Sequence, residues 1–298
     1  MPLFFLLSSY WLLRSLKDPV LTCVSGVEAI PRAKMISVLA VTALVLIYNT
    51  ALDKIERHRM FYFIGGIYSV VFLSLSWALA STTCGEGGLL GWLSYVTIES
   101  YGSINAALFW SFANTITKPK DQKVTYGLLV AVAQLGSIAG PTVVRVKTEA
   151  WGVSGVYTAG SFLVLGVPCC IYNYVGRYGC KPARQEIKKG QTGVLEGLKL
   201  LGRHNYVKGI FAVSCLFMVE VTIIDFLMKV LAQAHFKSEY PCEKGMPCWL
   251  EAGEDGISDG ASKGFARFMG VFGQCANTIS LVFSLLGTGF VIRRLGLR

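Results

Sequence analysis

Charge is scarce in this chain. Only 15% of its 298 residues are Asp, Glu, Lys or Arg, against roughly 25% in a soluble domain. That shortage, with 53% hydrophobic residues and a mean hydropathy of +0.52, excludes an ordinary soluble globular domain. The sequence also lacks the Gly-x4-Gly-Lys-Ser/Thr phosphate loop, so nucleotide hydrolysis has no support. No His-x-x-x-His or Cys-x-x-Cys pair occurs, and neither a metal nor another cofactor is expected. No basic and aromatic module of a nucleic-acid-binding kind is present, so nucleic acid is not expected as a partner. The opening Met1-Pro-Leu-Phe-Phe-Leu-Leu has no basic start and no Ser/Arg-rich leader. It reads as part of a first membrane helix whose beginning is missing, not as a secretory signal or transit peptide.

What the chain has is apolar runs. Measured against the roughly 20 residues that span a bilayer, there are eight. They cover 3–13 (continuing through 14–18), 35–52, 61–82, 89–117, 125–144, 153–175, 209–232 and about 267–292. The fifth run is interrupted by Gly140-Pro141, where a break is expected. Nine cysteines are present, and Cys169, Cys170, Cys215 and Cys275 lie within apolar runs, where Cys behaves as a small hydrophobe. Cys242 and Cys248 flank a loop and could form a disulfide if it faces an oxidising space; no second pair supports zinc. The histidines His58, His204 and His235 fall near helix ends and read as interface residues.

The expected fold is an all-α polytopic membrane protein in the lipid bilayer, major-facilitator-like, with about eight of twelve transmembrane helices. Residues 1–175 form a first six-helix half and 176–208 a basic linker with an amphipathic helix from Gly193. Residues 209–298 start a second, incomplete half. The net charge of +10 is unevenly spread. Connections after even-numbered spans hold 17 Lys and Arg against 9 after odd-numbered ones, which puts the former in the cytosol.

Several charges fall where hydrocarbon should be. A charge at the centre of a membrane helix costs roughly 2.5–3.5 kcal/mol on insertion scales, so it faces a partner or a wet path. Glu99 lies well inside the fourth run, on a stripe with Gly102, Ala106, Phe109 and Ala113. Arg14, Lys17 and Asp18 sit at i, i+3 and i+4, so Arg14 can pair with Asp18 and leave Lys17 over. Lys34 opens the second run, and one pairing open to it is Glu99. In the seventh run Asp225 and Lys229 are spaced to neutralise each other. Glu220 lies about 180° round the helix from Lys229 and needs a partner elsewhere. These residues could be fixed ion pairs holding helices in register. The alternative is that Lys17, Lys34, Glu99 and Glu220 serve a substrate path or gate.

The same residues carry a resemblance. Arg14-Ser-Leu-Lys17-Asp18 resembles the Arg-Asp-Thr-Lys-Asp motif of the ATP/ADP translocases of plastids and obligate intracellular bacteria. Glu28-Ala-Ile-Pro-Arg-Ala-Lys34 is similar to their Glu-Ile-Ile-Pro-Phe-Leu-Lys. Glu99-Ser-Tyr-Gly-Ser, Phe109-Trp110-Ser-Phe112-Ala113-Asn114, Val219-Glu220-Val221-Thr222 and Phe268-Met269-Gly270 resemble further motifs in order. The resemblance implies a twelve-helix carrier that exchanges ATP for ADP, with phosphate as a further substrate. It implies a plastid envelope, or another organelle or endosymbiont membrane. Its important charges map to Lys34, Glu99 and Glu220, and Arg14, Lys17, Asn105 and Asn114 complete the candidate substrate-binding and transport residues. Two other readings stay open: a carrier for another nucleotide or phosphate anion, and a truncated membrane protein that does not transport.

Overall fold

The computed structural model describes residues 1–52, 55–81, 88–117, 122–179, 201–241 and 257–283. Its elements are helices: α1 (Pro2–Ser25), α2 (Ala29–Leu52), α3 (Arg57–Ser81), α4 (Gly88–Ile116), α5 (Gln122–Tyr178), α6 (Asn205–Glu239) and α7 (Asp259–Val282). The chain is therefore an all-α polytopic membrane protein. By length and composition α2, α3, α5 and α6 can each cross a bilayer.

The first expected run extends through its charged end into one helix, α1, as anticipated. Pro2 stands where a helix has no N–H to lose, and Gly26 ends the helix at φ 75°, its N–H donating to the Thr22 carbonyl. α1 is buried on nearly all sides, and Leu12, Leu13 and Leu16 are fully buried. A helix of that kind belongs at the centre. It packs on α4, α5, α7 and, more lightly, α2.

Small residues let the neighbours approach. A Cβ at Gly136 or Gly140 of α5 would run into the α1 backbone at Phe4 and Ser8, and one at Gly91 of α4 would sit 3.3 Å from Leu21 Cα. Hydroxyls tie the rest. Ser69 and Ser161 each donate to the other's carbonyl, at 3.1 and 2.8 Å, across α3 and α5. Ser9 bonds Tyr101, and Ser94 bonds Tyr157, both at 2.6 Å.

The expected fifth and sixth runs are the two arms of α5, which breaks at Gly152, in the gap between the runs; the further break expected within the fifth run at Gly140-Pro141 does not occur. Gly152 has φ 68°, a conformation that glycine adopts without a steric penalty. The helix continues through Pro141 because the carbonyl that proline leaves without its usual donor, that of Ser137, accepts instead from Asn277 Nδ2 of α7 at 3.1 Å. The seventh run is α6, longer than expected at both ends. α7 covers 259–282, and residues 284–292 of the eighth run lie outside the described residues. So do Cys242, Cys248 and residues 180–200 of the linker.

The outer faces of α2 (Leu39, Leu46 and Ile47) and α3 (Phe63, Val70 and Trp77) are apolar and exposed, and α6 is exposed on every side over 205–224, with Val213, Leu216 and Phe217 among its apolar residues. In water such a surface would aggregate, whereas lipid is its natural solvent.

Candidate functional site

Charge gathers where α1, α2, α4 and α6 meet. Lys17, three residues after the exposed Arg14, turns into the bundle and is 3% exposed. Its ammonium pairs with the Glu99 carboxylate of α4. It also lies 4.3 Å from the centre of the Tyr95 ring, with its Nζ 3.4 Å from the Tyr95 hydroxyl. Tyr95 and Glu99 are one turn apart on α4, so ring and carboxylate form one wall around the ammonium. Tyr95 is fully buried.

Asp18, next in sequence, points to another partner. It is 1% exposed, and its Oδ2 accepts from Lys229 of α6 at 2.9 Å. Lys229 also donates to Asp225 Oδ2 at 2.6 Å, and the same oxygen receives Lys34 of α2 at 3.2 Å. The ion pairs therefore run from α4 through α1 and α6 to α2. Three lysines (Lys17, Lys34, Lys229) meet three carboxylates (Asp18, Glu99, Asp225). Asp18 Oδ1 is buried without a hydrogen-bond partner.

The i, i+4 pairing of Arg14 with Asp18 does not form. Asp18 is buried and takes a buried ammonium, whereas the Arg14 guanidinium donates to Tyr10 Oη at 2.8 Å and lies over the Tyr10 and Trp11 rings. Lys34 meets Asp225 and not Glu99. Asp225 and Lys229 do pair, but each also reaches a second helix, so the pair is not self-contained.

Glu220 is exposed on α6, away from the cluster. The stretch of α6 that carries it, 205–224, is exposed on every face, so Glu220 lies before the part of the helix that packs into the bundle. Asn105 is buried and its amide donates to its own helix, at Tyr101 O, 3.1 Å away. Asn114 is exposed and accepts from the Tyr126 hydroxyl of α5. The structure thus brings Lys17, Lys34 and Glu99 together with Asp18, Tyr95, Asp225 and Lys229. Arg14 lies one turn along α1, and Asn105, Asn114 and Glu220 stand apart. Tyr95 was within reach of sequence reasoning, since it lies i−4 from Glu99. The cross-helix roles of Asp18 and Lys229 carried no local signal.

The sequence model of the TLC ATP/ADP transporter family matches residues 1–80 and 92–245, which contain every member of this cluster. The chain belongs to that family. Its members are carriers, not enzymes. The chain is 25% identical over 334 residues to ADP,ATP carrier protein 2, chloroplastic, of Arabidopsis thaliana, covering 98% of this chain and 50% of that protein. With ADP,ATP carrier protein 1 of Chlamydia muridarum it shares 24% identity over 343 residues, 99% of this chain and 60% of the relative. The chain thus spans between half and three-fifths of the length of these TLC-family relatives. No solved structure matches it.

Proposed function

We propose that this membrane protein takes part in exchange of ATP for ADP, with phosphate as a further substrate, by alternating access through the charged region between α1, α2, α4 and α6. The observation that carries the reading is the Lys17–Glu99 pair, an acid and a base from separate helices held together inside an apolar bundle. Lysine ammonium groups bind phosphate as point charges, and Arg14, on the exposed side of α1, adds a planar donor. With the site empty, carboxylates hold the lysines. Substrate phosphates compete for them, and that exchange of partners couples binding to the change of access. Glu220 and Asn114 enter this reading through the family resemblance, and Asn105 as a buried polar residue of the same helix as Glu99. The membrane is that of a plastid envelope, another organelle or an endosymbiont, in line with the plastid and bacterial relatives. The organisation proposed is a first six-helix half over 1–175, a basic linker over 176–208 and the start of a second half from 209.

The test is uptake of labelled ATP into vesicles carrying the protein and preloaded with ADP. Lys34→Gln and Glu99→Gln should each reduce the initial rate by at least about tenfold, the change that follows from 1.36 kcal/mol of lost transition-state stabilisation. Arg177→Gln, at the exposed end of α5, should retain the rate. Uptake indifferent to Lys34 and Glu99 removes the mechanism.

One observation favours a second reading. Among the described residues each lysine of the cluster already has a carboxylate partner, whereas Arg14 beside it makes no ion pair with one. That balance suits a nucleotide or phosphate anion of lower charge than ATP. Competition of ATP uptake by nucleoside mono-, di- and triphosphates and by inorganic phosphate separates the two.

A further inference from the structure

One oxygen of Asp225 receives two ammonium groups from two helices: Lys34 of α2 at 3.2 Å and Lys229 of α6 at 2.6 Å. That is the environment of a phosphate oxygen in a lysine-built site. We propose that Asp225 is the resident anion of the transport site. Its carboxylate occupies the place a substrate phosphate takes, and its displacement unties α6 from α2. The proposal rests on the reading that this chain carries a phosphorylated anion, and it names the group that the anion replaces.

Three features support it. First, the Lys34–Asp225 contact is an ionic tie between helices that share little other packing. Phe226, beside Asp225, adds an apolar contact with the group containing Ile30, Ala33 and Tyr95. Loss of the ionic tie therefore changes most of what holds α6 to α2. Second, Asp225 is about a quarter exposed and Lys34 about a third, so an anion from solvent can reach both. Asp18 and Lys229 are nearly closed off. The entry side of the bridge is thus the Lys34–Asp225 side.

Third, Lys229 keeps a carboxylate when Asp225 leaves, because Asp18 holds it independently at 2.9 Å. A buried ammonium stripped of all partners would oppose the displacement. With Asp18 in place, substrate phosphate replaces one of two anions, not the only one. Asp225 is thereby distinguished from Glu99, whose lysine has no second carboxylate among the described residues.

The experiment uses the full chain in vesicles and compares wild type, Asp225→Asn and Asp225→Glu. Without the competing carboxylate, Asp225→Asn should lower the KM for ATP, and the concentration of inorganic phosphate that half-inhibits uptake, by about tenfold. Maximal exchange should fall, because no internal anion resets the empty site, while Asp225→Glu should restore the wild-type split between KM and rate. A KM for Asp225→Asn that is unchanged or raised overturns the proposal. If wild type exchanges ATP while the variant's KM does not fall, the resident anion fails and the transport reading stands. If wild type takes up no nucleotide, yet inorganic phosphate protects Asp225→Asn against heat at lower concentration than wild type, the outcome is reversed.

Should Asp225→Asn not fold, a cysteine pair at Ile30 and Phe226, in a background without native cysteines, decides the matter. ATP or phosphate should suppress cross-linking between α2 and α6. Cross-linking that ignores both anions overturns the proposal.

Discussion

Lys17 and Glu99 are best considered as one unit. Removing one partner of a buried pair leaves a charge with nothing to offset its desolvation, at about 3–5 kcal/mol, whereas removing both is far milder. Lys17→Met and Glu99→Gln should each lower the unfolding temperature in detergent, and the double variant should lose less than the two losses added together. Additive losses would mean that the pair contributes no coupling. At this scale the sequence spoke clearly about which residues were anomalous and poorly about whom they meet. Glu99 stands out because it is the carboxylate inside the fourth apolar run. Its choice of Lys17 over Lys34 depends on how α1 and α2 pack against α4, which no spacing along one helix encodes. The Arg14–Asp18 expectation failed for the same reason. Local geometry permitted it, but a fully buried carboxylate gains more from a buried ammonium on another helix.

Among the elements, α5 depends on a side chain that belongs to α7. Asn277 supplies the donor that Pro141 withholds from Ser137 and also donates to Gly273 O at 2.8 Å. Asn277→Ala should cost about 1–3 kcal/mol, the loss expected when a buried acceptor is left unmet, read as reduced thermal stability. Gly140→Ala should cost a similar amount, because its Cβ meets the α1 backbone and the two helices must move apart. Gly66→Ala, which meets nothing within 4 Å on α3, should be neutral or slightly stabilising. Equal behaviour of the two glycines would contradict the packing described. The helices themselves were legible from the lengths of the apolar runs. The gap left between the fifth and sixth runs brackets the break at Gly152, but the continuity of α5 through Pro141 was not legible. A proline looks disruptive in one dimension, and its rescue arrives from a residue more than a hundred positions later.

At the scale of the molecule, α2, α3 and α6 present apolar surface outward while the Lys17–Glu99 and Asp18–Lys229 pairs are held inside, an arrangement suited to lipid as solvent. Cys215, exposed on α6, and Cys169, exposed on α5, should therefore react in vesicles with a membrane-permeant maleimide before a charged, impermeant one. Cys23, buried in α1, should resist both. Rapid labelling of Cys215 by the charged reagent would place α6 in water. All-α membrane architecture and family were legible across nearly the whole chain, because composition and ordered short motifs survive at about a quarter identity. The convergence of α6 on α1 and α2 was not, since it joins residues about two hundred positions apart.

The cluster of three lysines and three carboxylates also has an electrical consequence. Each unit charge carried through a membrane field gains or loses about 2.3 kcal/mol per 100 mV. Six groups that cancel gain and lose nothing, so the unloaded cluster can reorient without regard to voltage. Sensitivity to membrane potential then resides in the cargo and in charges outside the cluster, such as Arg14 and Glu220, and the polarity of the current would report the difference in charge between what enters and what leaves.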